Sequence, residues 1–256
     1  MRYFGLRALI VEHGAIGRIL LEKILRQLGF SVQTASGAED LRRPGVAGAC
    51  FDLAVVDADL PDEQQEVIFR FLAPEGGQRA HILLTVSRAH PSPRGNGPRP
   101  DGVALKPIGK ASLERLIDEL FNPGQGSSPN APGSPSSPGG MDAPARLPGI
   151  DAADAMFRLG GSFEVLRNLL QIFSQEHRGL MPVLRRLAQE KDRAGLQARA
   201  HAVKGAAANI SAHALSQASL HLEKAAAAKD DGQIPGALDA LEESLQTVLR
   251  SIETLR

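Results

Sequence analysis

Between Asn122 and Arg146 the chain is almost entirely Pro, Gly, Ser, Ala and Asn, and that stretch limits what the rest can become. It has no apolar periodicity and cannot bury enough surface to repay the entropy of ordering it. It reads as a flexible linker with some polyproline stiffness. The 256-residue chain is thereby cut into two lengths, 1–121 and 147–256, each long enough for a small domain.

The two lengths carry different periods. In the first, short apolar runs at Leu6–Val11, Ser31–Thr34, Leu53–Asp57, His81–Val86 and Val103–Leu105 have strand length. Between them lie helical spacings at Ala15–Leu28, Ala38–Arg43 (weak), Asp62–Leu72 and Lys110–Phe121, the first closed by Gly29. Strands alternating with helices predict an α/β fold, a doubly wound five-stranded parallel sheet whose working edge lies at the carboxyl ends of its strands. The second length has no strand signal. Phe163, Leu166, Leu170, Phe173, His177, Leu180, Leu184 and Leu187 step by three and four, as do Ile234, Leu238, Leu241, Leu245, Val248, Ile252 and Leu255. Such narrow stripes predict an all-α antiparallel four-helix bundle. Asp151 with Asp154 reads as a capping pair for a short helix that Gly160–Gly161 ends, and Pro182 must kink or break the long helix.

Composition narrows the class of function. Acids and bases are 29 each, with no polybasic block, so nucleic acid is not an expected partner. No apolar run approaches the ~20 residues of a membrane span, and Arg2 and Arg7 are not followed by a secretory core. Cys50 is the one cysteine, so no intrachain disulfide is possible, which fits a reducing, cytoplasmic setting. Tryptophan is absent, which predicts an aliphatic core.

One helix carries chemistry. Leu196, Ala200, Val203, Ala207 and Ile210 form a buried stripe, and His201 lies about 100° from Ala200, at its edge. Lys204 and Gly205 follow at i+3 and i+4. The lysine supplies positive charge for a phosphoryl group, and the glycine, costly in mid-helix by about 1 kcal/mol, leaves clearance for an approaching partner. A lone histidine is usually an ordinary surface residue, and His213 and His221 read that way. His177 falls on a core stripe. Ala200-His201-Ala202-Val203-Lys204-Gly205, continued by Ala206–Ile210, Leu215 and Leu222-Glu223 and preceded by Leu147–Asp151 and Leu159–Gly161, resembles the histidine-containing phosphotransfer (HPt) domain over residues 147–256. The resemblance implies that His201 is the phosphoaccepting histidine, that Lys204 assists and that Gly205 leaves room. Glu223 is a candidate for orienting the ring. Ser211 stands where that family usually has glycine, at the turn between two helices.

In the first length, Glu12-His13 follows the first strand, Asp57 ends the third, Thr85 lies in the fourth and Lys106-Pro107 follows the fifth. A carboxylate, a hydroxyl and a lysine converge on one edge, a set that suits phosphoryl transfer to Asp57 with Thr85 as donor and Lys106 as counter-charge. Residues 5–121 resemble a response-regulator receiver domain, in degenerate form. The resemblance implies Asp57 as phosphoacceptor and a Mg²⁺ site at Glu12 and Asp57. That site is weakened because His13 stands where a second acid is usual, and imidazole is a poor Mg²⁺ ligand. Ser87–Asp101 is broken by prolines and glycines where a return helix is usual, and Val103 replaces the aromatic switch residue. Two readings of this length stay open: a weak but working receiver, or a receiver-like domain kept for docking.

Together these imply a phosphorelay protein of a two-component system, in which His201 takes a phosphoryl group from receiver aspartates and passes it on. No ATP-binding box is present, so the chain is expected to be a transfer intermediate and not a kinase. The implied partners are a sensor or hybrid histidine kinase, receiver domains of other response regulators, and the chain's own receiver-like part. Rival readings are an unphosphorylated adaptor and a phosphate sink acting through Asp57.

Overall fold

The computed structural model describes residues 2–74, 77, 79–87, 100–122, 147–159, 161–228 and 231–255. All of the expected linker but Asn122, most of the Pro/Gly-broken stretch (88–99) and Gly160 lie outside the described residues.

Five parallel strands, β1 (Arg7–Val11), β2 (Ser31–Ala35), β3 (Leu53–Asp57), β4 (His81–Val86) and β5 (Gly102–Leu105), are arranged in the order β2-β1-β3-β4-β5. Helix α1 (Ala15–Leu28) joins β1 to β2 and α2 (Asp62–Leu72) joins β3 to β4, α3 (Lys110–Phe121) follows β5, and the weak helix is a 3-10 turn over Ala38–Arg42. β3 is buried at every position, as a central parallel strand covered on both faces must be. The strand order reverses between β1 and β3, so their carboxyl ends frame the crevice of the sheet. α1 stops at Gly29, whose φ of 109° lets its N–H reach back to the Leu25 and Arg26 carbonyls.

The C-terminal part is helical: α4 (Ala152–Arg158), α5 (Phe163–His177), α6 (Leu180–Gln189), α7 (Arg193–Asn209), α8 (His213–Ala228) and α9 (Ile234–Glu253). Asp151, Ser162 and Asp192 cap α4, α5 and α7 by accepting from the N–H of Asp154, Val165 and Gly195. The long stripe breaks at Arg178–Gly179, before Pro182. Pro182 then falls in the first turn of α6, where a missing N–H costs nothing. Between α7 and α8, Ser211 has φ 57°, the left-handed conformation that explains why glycine is usual there. The fully buried Ser211 hydroxyl donates to Asp154 Oδ2 (2.8 Å) and accepts from Arg158, so side-chain bonds compensate the backbone strain.

One apolar cluster runs from a face of the sheet through α1 into the bundle, and a second fills the sheet's other face beneath α2. α1 makes this continuity possible. Ile16, Leu20 and Ile24 form one buried row and Leu21, Leu25 and Leu28 another, and the helix touches β1 and β2 as well as α5 and α7. The core is mainly aliphatic, with a correction: Tyr3, Phe30 and Phe121 cluster, Tyr3 stacking on Phe30 at 4.9 Å between ring centres. Burial, with a hydrogen bond to Asp118, pushes the Tyr3 hydroxyl up to about 12.

Candidate functional site

The carboxyl ends of β1, β3 and β5 bring three groups together. Asp57 is fully buried at the end of β3. Its Oδ1 accepts from Lys106 Nζ (2.5 Å) and from the Asp59 N–H (2.9 Å), and its Oδ2 lies 2.9 Å from His13 Nδ1. Lys106 also sits 3.0 Å from Glu12 Oε2 and 3.6 Å from Asp59 Oδ2. Burial would push the Asp57 carboxyl up, but the His13 hydrogen bond and the Lys106 charge outweigh it and hold it well below the usual carboxylate range. Burial pushes Glu12 up to about 7 against the pull of Lys106. Burial disfavours the Lys106 cation, yet the Glu12 and Asp57 charges raise its pKa overall. The hydrogen bond to Asp57 raises His13. Thr85 pairs in register with Asp57, and its buried hydroxyl donates to the Val56 carbonyl (3.3 Å).

Glu12, His13 and Asp57 each offer a ligand atom within 4.8 Å of the others, so the acidic cluster could hold a divalent cation. Its chemistry disfavours Mg²⁺. One of the three ligands is an imidazole, both Asp57 oxygens already accept hydrogen bonds, and Glu12 Oε1 accepts from the Gly14 N–H (3.1 Å).

The second group lies on α7. The stripe Leu196, Ala200, Val203, Ala207 and Ile210 is buried, which leaves His201 at the helix edge. Its Nδ1 is 2.8 Å from Glu223 Oε1, across on α8, and Lys204 Nζ bonds Glu223 Oε2 at 2.7 Å while lying 3.1 Å from the same Nδ1. Lys204 therefore bonds the residue that orients the ring as well as adding charge beside it. A Cβ at Gly205 would meet nothing within 4 Å, so the surface there is open. His213 and His221 are exposed, and His177 is buried and stacked on Phe173 at 4.2 Å, with burial lowering its pKa.

The two groups face each other. His201 Nε2 is 3.2 Å from Asp59 Oδ2. Asp59 in turn accepts from the Ser87 hydroxyl at 2.5 Å. Hydrogen bonds to Asp59 and then to Glu223 raise His201 to about 9, against burial and the Lys204 charge. Burial works against ionisation of Asp59, but His201, Ser87 and Lys106 lower its pKa overall. A cleft of about 490 Å³ between the two parts is lined by Glu12, His13, Asp59, Lys106, His201 and Gly205 among others. The sequence points to His201, Lys204, Gly205, Glu223, Glu12, Asp57 and Lys106. It misses the side chains of Asp59 and Ser87. For Asp59, the acid two residues beyond Asp57 was the available signal.

A doubly wound parallel sheet with a carboxylate–lysine cage at its switch point, joined to a helical bundle with an exposed-edge histidine, defines the class of molecule. The family model described as the Hpt domain matches residues 168–255, which run from within α5 to just past α9. The first part resembles a solved response-regulator receiver domain (CheY-like) from Methylobacillus flagellatus, at 21% identity and a TM-score of 0.38, covering 45% of this chain and 98% of that one. No curated protein matches the chain. No helix among the described residues is long and apolar enough to cross a membrane.

Proposed function

We propose that this chain is a phosphorelay protein in which His201 accepts a phosphoryl group from a receiver aspartate and passes it on, with residues 1–121 as a degenerate receiver that regulates or docks, 122–146 as the linker and 147–256 as the transfer unit. The observation that carries this reading is the placement of His201. It sits within the Hpt match, its Nδ1 is held by Glu223 and its neighbour Gly205 is open.

For transfer, His201 must be neutral with its hydrogen on Nδ1, donated to Glu223. The Nε2 lone pair attacks the phosphorus of an aspartyl phosphate. The N–P bond forms as the P–O bond to the carboxylate breaks, and the carboxylate leaves with the electron pair. Lys204 braces Glu223 and adds positive charge. On the chain's own sheet, Asp57 is the candidate acceptor and Lys106 its counter-charge. A divalent cation held by Glu12 and Asp57 would offset phosphoryl charge there. Lacking an ATP-binding box, the chain draws phosphoryl groups from a sensor or hybrid kinase, or from other receivers. The caging of Asp57 by His13 and Lys106 favours a second reading in which the first part is a docking module alone.

The test is incubation with a phosphorylated partner receiver, or with an active hybrid kinase and radiolabelled ATP. Wild type, His201→Gln and Asp57→Ala are compared. An acid-labile, base-stable label lost in His201→Gln is the expected outcome. A changed label lifetime in Asp57→Ala would make the sheet site chemically active. A label that survives in His201→Gln would overturn the reading by moving the phosphoacceptor to another residue, and none in any variant would overturn it in favour of an adaptor.

A further inference from the structure

We propose that Asp59 is an internal latch, a carboxylate through which the receiver-like part holds the chain's own His201 so that partner receivers cannot use it until the two parts separate. This rests on the reading of His201 as the relay residue. The geometry of the ring carries it. Nδ1 meets Glu223 at 2.8 Å and Nε2 meets Asp59 at 3.2 Å. Ionised carboxylates only accept hydrogen bonds. Two such acceptors on the two ring nitrogens require a hydrogen on each, which leaves neither lone pair free to attack phosphorus. The contact is also made at Asp59 and not at Asp57, two residues away in the cage. The docked form is therefore a resting contact.

Asp59 is held in place for this role. Its side chain is 12% exposed, accepts from Ser87 and lies 3.6 Å from Lys106. The charged groups facing the His201 ring are thus Asp59 from the sheet edge, Glu223 from α8 and Lys204 from its own helix, with Lys106 behind Asp59. Away from the ring, small residues let the two parts close up. A Cβ at Gly17 of α1 would come within 3.4 Å of the Asn209 amide, and one at Gly109 within 3.4 Å of Arg158 Cγ. α1 packs on α5 and α7 beside them. A partner receiver seeking Nε2 has to displace this whole surface.

The contact is tested by the reactivity of the His201 ring toward diethyl pyrocarbonate, which needs an accessible imidazole lone pair and no phosphoryl chemistry. Modification is followed by mass spectrometry on the tryptic peptide Ala200–Lys204 of the full chain. Asp59→Ala removes the acceptor. Gly109→Arg sets a second cation against Arg158, where neither residue lines the cleft, and separates the two parts while leaving Asp59 and His201 unchanged. Both variants are expected to raise the labelling rate about tenfold or more, the scale of one lost charge-assisted hydrogen bond. Labelling at the wild-type rate in both variants, with folding checked by circular dichroism, would overturn the latch. Uptake of label from a phosphorylated receiver is measured on the same samples. Raised ring reactivity without any phosphoryl uptake would keep the latch and reject His201 as the relay residue.

Discussion

The two candidate phosphoacceptors are held in opposite ways. Asp57 is fully buried and depends on residues that follow β1, β3 and β5. His201 rides on the edge of one helix with its side chain 27% exposed, and its ring is held by one acid from the next helix, Glu223, and by Asp59 across the cleft. The chemistry explains the contrast. An acyl phosphate on a carboxylate concentrates charge and needs a preorganised cationic cage. An imidazole needs a fixed tautomer and clearance. The cage is therefore a cooperative object in which one deletion strands several charges, whereas the helix site tolerates change one residue at a time.

The comparison breaks most readily at Lys106. Lys106→Ala leaves Asp57, Glu12 and Asp59 clustered without their cation, and the expected loss is about 3–5 kcal/mol of stability by urea denaturation. A cost below about 1 kcal/mol would mean that the cage is hydrated and not cooperative. In the helical part the nearest equivalent is Ser211. Ser211→Ala removes a buried hydroxyl from Asp154 and Arg158 while keeping the left-handed backbone, and is expected to cost about 1–3 kcal/mol. Ser211→Gly loses the same bonds but relieves the backbone, and is expected to be about 1 kcal/mol less harmful than Ser211→Ala. Equal melting temperatures for the two variants would show that φ 57° carries no strain at this turn.

These differences also explain what could be read from the sequence. Helix periodicity is local, so Leu196–Ile210 located the buried face and put His201 at its edge, and the strand runs placed Glu12, Asp57 and Lys106 at one sheet edge. Glu223 was legible as a candidate because it follows one helix later in the same bundle. Thr85 was legible in position, but its bond to the Val56 carbonyl was not, because rotation about its side chain sets it and sequence spacing does not carry that. The break at Arg178–Gly179 was displaced from Pro182 because proline is disfavoured within a helix but welcome in its first turn. Asp59, Ser87 and the packing of α1 on α7 were not legible, since contacts between separately patterned parts leave no periodic trace.

His13 sharpens the comparison from the cage side. His13→Asp replaces an imidazole by the oxygen ligand that a hard cation prefers, and Mg²⁺ affinity measured by isothermal titration is expected to rise about tenfold. Transition-metal binding is expected to move the opposite way. Unchanged Mg²⁺ affinity would show that Lys106, not His13, excludes the ion.

The smallest expected effect tests how far the two environments are linked through pH. The ordinary histidine value is 6.5, and in the docked chain His201 is raised to about 9 by Asp59 and Glu223. A raised base stabilises the form that raises it. The contact is therefore complete below about 6.5 and is lost as pH climbs through about 9. Asp59 is lowered, so the acid side of the contact persists until pH falls below the usual carboxylate range. Solution scattering of wild type is expected to show a modest increase in radius of gyration between pH 7 and pH 10. Asp59→Ala, already released, should have the larger radius at both values and little slope. Solvent still reaches this partly buried contact, so the change in radius should shrink further in high salt. A wild-type radius independent of pH would mean that the apolar rows of α1 hold the two parts together without help from His201. The buried cage and the helix-edge histidine would then be neighbours by packing alone.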